Sequence, residues 1–214
     1  MNSFLKRIIS GLIFLIIFWS TFVFAPSYFS YLLLFFLLEI LIIEWKNFFK
    51  VNTLTFWVLM PIYPILPFIL MILLNKSVYR VLLLTLFILV FCFDSGSYIF
   101  GNILGKNKIL PKVSPGKTWE GFIGGTLFTG LALFLILLFL DKPINKYFFV
   151  LVTLIVSILA LLGDLFESWL KRRAKIKDSG YLMPGHGGFL DRFDGIMFVA
   201  IFFYVFRDYL IKYF

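Results

Sequence analysis

The sequence predicts an all-α, polytopic transmembrane helix bundle of about seven to nine spans with a cytosolic N-terminus. Three observations carry this. Of 214 residues 62% are hydrophobic and only 14% are charged, a composition outside that of ordinary soluble domains. The apolar residues fall into seven runs without period-two alternation, which selects helices over a membrane barrel. Lysine and arginine gather in alternate connections. Thirty phenylalanines cannot be hidden in a water-soluble core of this size, so the bilayer serves as solvent for much of the surface.

The first run, 8–24, follows Lys6 and Arg7. Val23-Phe24-Ala25 resembles a signal-peptide cleavage site, but the run exceeds a typical leader core and Pro26 would follow the cut, so it reads as a retained helix. The second run is 28–43. The third, 54–74, carries Pro61, Pro64 and Pro67 and reads as a bent helix or two short ones, which widens the count of spans. The fourth run, 78–93, contains Cys92; a single cysteine excludes an intrachain disulfide, and this one reads as a small buried hydrophobe. The remaining runs are 122–140, 147–162 and 196–211.

With the N-terminus placed in the cytosol, seven spans put most of the basic residues on the cytosolic side. Residues 76, 80, 142, 146, 207 and 212 are the exceptions. The same threading puts both long polar connections, 94–121 and 164–195, in the cytosol. No repeat, low-complexity tract or soluble domain interrupts the chain, which reads as one membrane domain over 1–214 with its chemistry in 94–194. The formal charge of +9 calls for anionic partners, among them lipid headgroups, nucleotides or nucleic acid.

Asp94, Asp164, Asp191 and Asp194 each lie where an apolar run meets a cytosolic connection. A carboxylate beside hydrocarbon is costly unless it is paired or bound to a cation. Several at one depth suit a shared divalent ion, and Mg²⁺ takes one or two carboxylates and completes its shell with water and phosphate oxygens. The plainer reading makes Asp191 or Asp194 a helix cap and Asp94-Ser95-Gly96 a turn. If the sixth helix continues far enough, Asp164, Ser168 and Lys171 share one face at i, i+4 and i+7, although Lys171 could instead pair with Glu167. Arg172, Arg173, Lys175 and Lys177 form a basic run of the kind that attracts headgroups.

The stretch Lys112-Val113-Ser114-Pro115-Gly116-Lys117-Thr118 sets hydroxyls and lysines before the fifth helix, an anion site that is not a P-loop because its glycine spacing differs. Pro184-Gly185-His186-Gly187-Gly188 is glycine-dense enough for a polyanion to approach backbone amides. His186, the only histidine, either contacts a phosphate or orders that loop.

The segment SWLKRRAKIKDSGYLMPGHGGFLDRFD, residues 168–194, resembles the signature of the phosphatidate cytidylyltransferase (CDP-diacylglycerol synthase) family. The upstream block DSGSYIFGNILGKNKILPKVSPGKTWEGFIGG, residues 94–125, is similar to the family's other cytosolic block, and GDLFES, 163–168, joins the two. Met183 and Ser97 are small departures from the pattern. The resemblance implies transfer of CMP from CTP to phosphatidate at a bilayer, in the inner (plasma) membrane, with no nucleic acid involved and homodimers common. It implies Asp164 and Asp191 as metal-coordinating acids, Asp94 and Asp194 in or beside the site, and Lys171 as a phosphate-contacting lysine. Ser114, Lys117, Ser168, Arg172, Lys177, His186, Gly187, Gly188 and Arg192 are then the expected substrate contacts. Mg²⁺ is the expected ion, with a second, monovalent ion left open.

Overall fold

The structure, a computed structural model, describes residues 3–76, 78–182 and 187–214, with side chains from Gly11 onward. In chain order the helices are α1 (Ser3–Phe24), α2 (Pro26–Glu39), α3 (Trp45–Phe48), α4 (Leu54–Met60), α5 (Leu66–Leu74), α6 (Arg80–Leu104), α7 (Trp119–Phe139), α8 (Lys146–Ala174), α9 (Leu190–Val205) and α10 (Arg207–Leu210). Two strands, β1 (Lys108–Leu110) and β2 (Ser114–Thr118), pair as an antiparallel hairpin between α6 and α7.

Among the described residues, five helical passages are long and apolar enough to cross a membrane: Pro26–Phe48, Leu54–Leu74, Arg80–Leu104, Trp119–Phe139 and Lys146–Ala174. With the apolar part of α1 and with α9 they follow the seven runs of the sequence in order, except that the seventh, 196–211, is divided: α9 starts before it and ends at Val205, and α10 takes its last turn. The chain is an all-α membrane protein with one small hairpin added.

The three prolines of the third run neither break the helix nor divide it. A π turn, Pro61–Ile65, links α4 to α5 in one passage. Proline lacks the N–H of an α-helical turn and its ring crowds the preceding carbonyls, so widening the turn locally keeps the helix continuous. A second π turn, Ile40–Glu44, joins α2 to α3 without any proline.

The fourth run does not end at Asp94. Helix α6 continues ten residues further to Leu104, so Asp94-Ser95-Gly96 is helical rather than a turn. The Ser95 hydroxyl donates to the Phe91 carbonyl at 2.8 Å, one turn back. Gly96 faces α7 so closely that a Cβ there would lie 2.8 Å from the Gly124 carbonyl oxygen. Tertiary contact with α7 through small residues thus outweighs the local turn preference.

The chain forms two compact units, one of residues 1–76 with 170–193, the other of 77–169 with 194–214. The first has a core of aromatic rings: Phe36 meets Phe189 at 4.5 Å between centroids, and Phe68 meets Phe193 at 5.0 Å. Asn75 closes it by donating to the Pro26 carbonyl at 2.8 Å and to the Ser30 hydroxyl at 2.9 Å. In the second unit α6 packs on α7, and the ring of Phe148 stacks on Tyr213 at 4.0 Å.

Candidate functional site

In the second unit the hairpin delivers Lys117. Thr118 caps α7, its hydroxyl accepting from the Gly121 N–H at 3.1 Å. Glu120 in the first turn of α7 accepts from the Asn107 N–H at 3.2 Å and from its side-chain amide at 2.7 Å, which fastens the base of the hairpin. What reads in sequence as a loop is therefore a strand held at both ends, and its penultimate residue, Lys117, forms an ion pair with Asp164 of α8. Burial disfavours the ammonium charge, but the carboxylates of Asp164, Asp94 and Asp194 outweigh it and hold Lys117 well above the ordinary lysine range.

Asp164 is buried, 6% exposed, at a close crossing of α8 and α9. A Cβ on Gly163 would lie 2.3 Å from the Asp194 carbonyl oxygen, and one on Gly195 would lie 3.2 Å from Asp164 Oδ1. The two glycines let the helices approach until Asp164 and Asp194 share one neighbourhood. Asp94 and the fully buried Glu167 are within electrostatic reach of the same group. Three of the four acids picked out in the sequence, Asp94, Asp164 and Asp194, thus gather around one lysine.

The fourth, Asp191, sits in the first unit in the first turn of α9. Phe189, Leu190 and Phe193 on either side of it are buried and anchor the helix start in the aromatic core. Its Oδ1 accepts from the Lys171 ammonium at 2.7 Å. Its Oδ2 accepts at 2.9 Å from the Ser179 N–H, the Ser179 hydroxyl and the Gly188 N–H. Asp191 is thus clamped by four donors, and Lys171 pairs with it rather than serving only as a helix-end partner for Glu167. Helix α8 does continue to Ala174, past Lys171, as its sequence spacing requires.

Ser114 opens β2 and is half-buried, and Ser168 is half-buried on α8; Arg172, Lys177 and Arg192 are exposed. Gly187 has φ +82°, and a Cβ on it would lie 2.4 Å from Asp191 Oδ2. His186 lies outside the described residues.

Sequence reasoning passed over Glu44, Ser179 and Asn47. Glu44 is fully buried and accepts from the Phe189 N–H at 2.6 Å, the Leu190 N–H at 2.9 Å and the Ser179 hydroxyl at 2.7 Å. Asn47 donates to the Ser179 carbonyl at 2.7 Å. A signal was present, since an acid at the edge of an apolar run demands a partner. Among the described residues no three His, Cys, Asp or Glu side chains converge as a ready metal cage.

The sequence model of the cytidylyltransferase family matches residues 3–210. Relatives named phosphatidate cytidylyltransferase include one from Staphylococcus haemolyticus (strain JCSC1435), 50% identical over 113 residues, and one from Staphylococcus aureus (strain COL), 49% identical over 113 residues. A third, from Staphylococcus saprophyticus subsp. saprophyticus, is 46% identical over 113 residues. Each alignment covers 53% of this chain and 44% of the relative, so the matched segment spans less than half the length of these relatives.

Proposed function

The chain belongs to the cytidylyltransferase family, and from that premise we propose that it transfers CMP from CTP to phosphatidate, giving CDP-diacylglycerol and pyrophosphate in the inner (plasma) membrane. The observation that carries the reading is the pairing of acids with lysines. Four of the residues that the family resemblance implies are joined in half-buried ion pairs, Lys171 with Asp191 and Lys117 with Asp164.

In the proposed reaction an oxygen of the phosphatidate phosphate forms a bond to the α-phosphorus of CTP. The bond from that phosphorus to the α,β-bridging oxygen breaks, and its electron pair leaves with pyrophosphate. The attacking phosphate is an anion near neutral pH, so no strong base is required. The difficulty is repulsion between two polyanions and charge gathering on the leaving group. Lys117 and Lys171 are fixed cations on rigid elements, and such preorganised charge lowers the barrier without rearrangement at the moment of reaction.

The donors also fit a hard divalent cation. Asp94, Asp164 and Asp194 are oxygen ligands whose common neighbour is already a positive charge, and Mg²⁺ needs only one or two carboxylates besides water and phosphate oxygens. Asp94 and Asp164, both in the second unit, would hold it. Bound there, Mg²⁺ would supply charge neutralisation for the triphosphate.

The test uses purified protein in lipid nanodiscs with phosphatidate and CTP labelled at the α- or γ-phosphate. Label from the α position is expected in the lipid and label from the γ position in released pyrophosphate. EDTA is expected to stop turnover and Mg²⁺ to restore it. Asp164→Asn and Asp191→Asn are each expected to abolish turnover while the protein still inserts. Label from the γ position in the lipid, or undiminished turnover in either variant, overturns the proposal.

A further inference from the structure

Glu44 has no part in the chemistry just described, yet it is among the most expensively placed side chains in the protein. It ends the π turn of a largely apolar passage, in which Glu39 is a second buried acid, and is itself fully buried. A carboxyl group in that setting is costly unless its oxygens are satisfied. Three donors satisfy them, and all three belong to the two segments that clamp Asp191.

The Phe189 and Leu190 N–H groups are consecutive donors at the start of α9 that have no partner within the helix. A carboxylate across a helix N-terminus satisfies them and meets the positive end of the helix dipole. The third donor is the Ser179 hydroxyl, which stands 2.7 Å from Glu44 Oε2 and 2.9 Å from Asp191 Oδ2, so one side chain touches both acids. Asn47, one turn beyond Glu44, holds the Ser179 carbonyl. The residue types around Glu44 show the same requirement independently. A Cβ on Gly188 would lie 2.3 Å from Glu44 Oε1, and one on Gly180 would lie 2.9 Å from its Cγ.

We infer that Glu44 is a positioning residue for Asp191. It does not meet substrate; it fixes Ser179 and the 188–190 backbone, which in turn fix the orientation of the Asp191 carboxylate. The inference rests on reading Asp191 as an acid of the active site. The π turn serves the same end, since the wider turn shifts the phase of every side chain that follows it in the passage.

The test compares Glu44→Gln, Ser179→Ala and Asp191→Asn with the unmodified protein, reading turnover per folded molecule, KM for CTP, thermal unfolding in detergent, and hydrogen exchange of the 178–192 peptide. Glutamine keeps the size of Glu44 but turns an amide donor toward an N–H donor. Loss of a group that orients a ligand-bearing side chain typically costs about 10- to 100-fold in activity. Glu44→Gln is expected to lower kcat in that range, to leave KM for CTP within about twofold, and to speed exchange at Ser179 and Gly188. Ser179→Ala, which removes the shared hydroxyl and leaves the Glu44 contacts with the α9 backbone in place, is expected to lower kcat about tenfold with little change in melting temperature. Wild-type kcat in folded Glu44→Gln or in Ser179→Ala, or unaltered exchange in Glu44→Gln, overturns the inference. Asp191→Asn separates the two readings: if it is active, the site assignment fails; if it is inactive while Glu44→Gln turns over normally, only the role of Glu44 fails.

Discussion

The Lys171 ammonium donates to Oδ1 of Asp191 over 2.7 Å, joining the last turn of α8 to the first turn of α9. Three further donors hold the other oxygen of Asp191, so removing the lysine leaves the acid hydrogen-bonded. Lys171→Ala is therefore expected to keep its fold and to lose activity by about 10²- to 10³-fold, the usual effect of deleting one charge-stabilising donor. Lys171→Arg is expected to restore little, because a planar fork does not replace a compact ammonium at a half-buried point contact. Steady-state turnover alongside a detergent melting curve checks both.

Lys117 behaves differently, because three carboxylates depend on it. Lys117→Met is expected to destabilise the protein by about 3 kcal/mol, the low end for breaking a buried pair, since the lysine retains some contact with solvent. The double variant Lys117→Met with Asp164→Asn is expected to recover part of that stability and none of the activity. The coupling between the two positions in a double-mutant cycle is the measurement.

Gly163 and Gly116 form a matched pair. A methyl on Gly163 meets the backbone carbonyl of Asp194, which cannot swing aside as a side chain would, whereas nothing lies within 4 Å of the corresponding position on Gly116. Gly163→Ala is expected to cost about 1–3 kcal/mol and to depress activity by displacing Asp164 from Asp194. Gly116→Ala is expected to stay within about 0.5 kcal/mol of the parent. Thermal unfolding of both proteins in one detergent decides the comparison.

Gly187→Ala combines backbone strain at a positive φ with a clash against the Asp191 carboxylate. The left-handed conformation costs an L-residue about 1–2 kcal/mol. The clash reorients the acid, so turnover is expected to fall at least as far as in Glu44→Gln, by about tenfold or more. Measured kcat per folded molecule, with unfolding as the control, checks it.

The apolar runs could be read directly because hydrocarbon imposes one structural solution on a long apolar stretch, and the runs appear as helical passages in order, the seventh divided between α9 and α10. Asp94, Asp164, Asp191 and Asp194 read as one group from their common place at the ends of those runs, but only three of them surround Lys117; Asp191 is held by Lys171, Ser179 and Gly188 in the first unit. The end of α6 could not, since Asp94-Ser95-Gly96 carries a local turn signal that only the contact between Gly96 and α7 overrides. The hairpin was also hidden, because Lys112 to Thr118 has the proline, glycine and serine content of a loop, and its part from Ser114 on becomes a strand through its partner Lys108–Leu110 and the Glu120 clasp. Glu44 was passed over for a different reason. Its partners lie more than 130 residues away along the chain, and no local pattern announces them.

The hairpin pairs Lys108 with Thr118 and Leu110 with Ser114, with an irregularity between the two pairs. Because successive strand residues point to opposite faces, one residue gained or lost within β2 would turn the Lys117 side chain away from Asp164. Length variation in this region should therefore be confined to the tip at 111–113, where added residues leave the paired ends in register. A short two-stranded ribbon in a helical protein acts as a ruler, and insertion mutagenesis along it would find tolerance at the apex and none along the second arm.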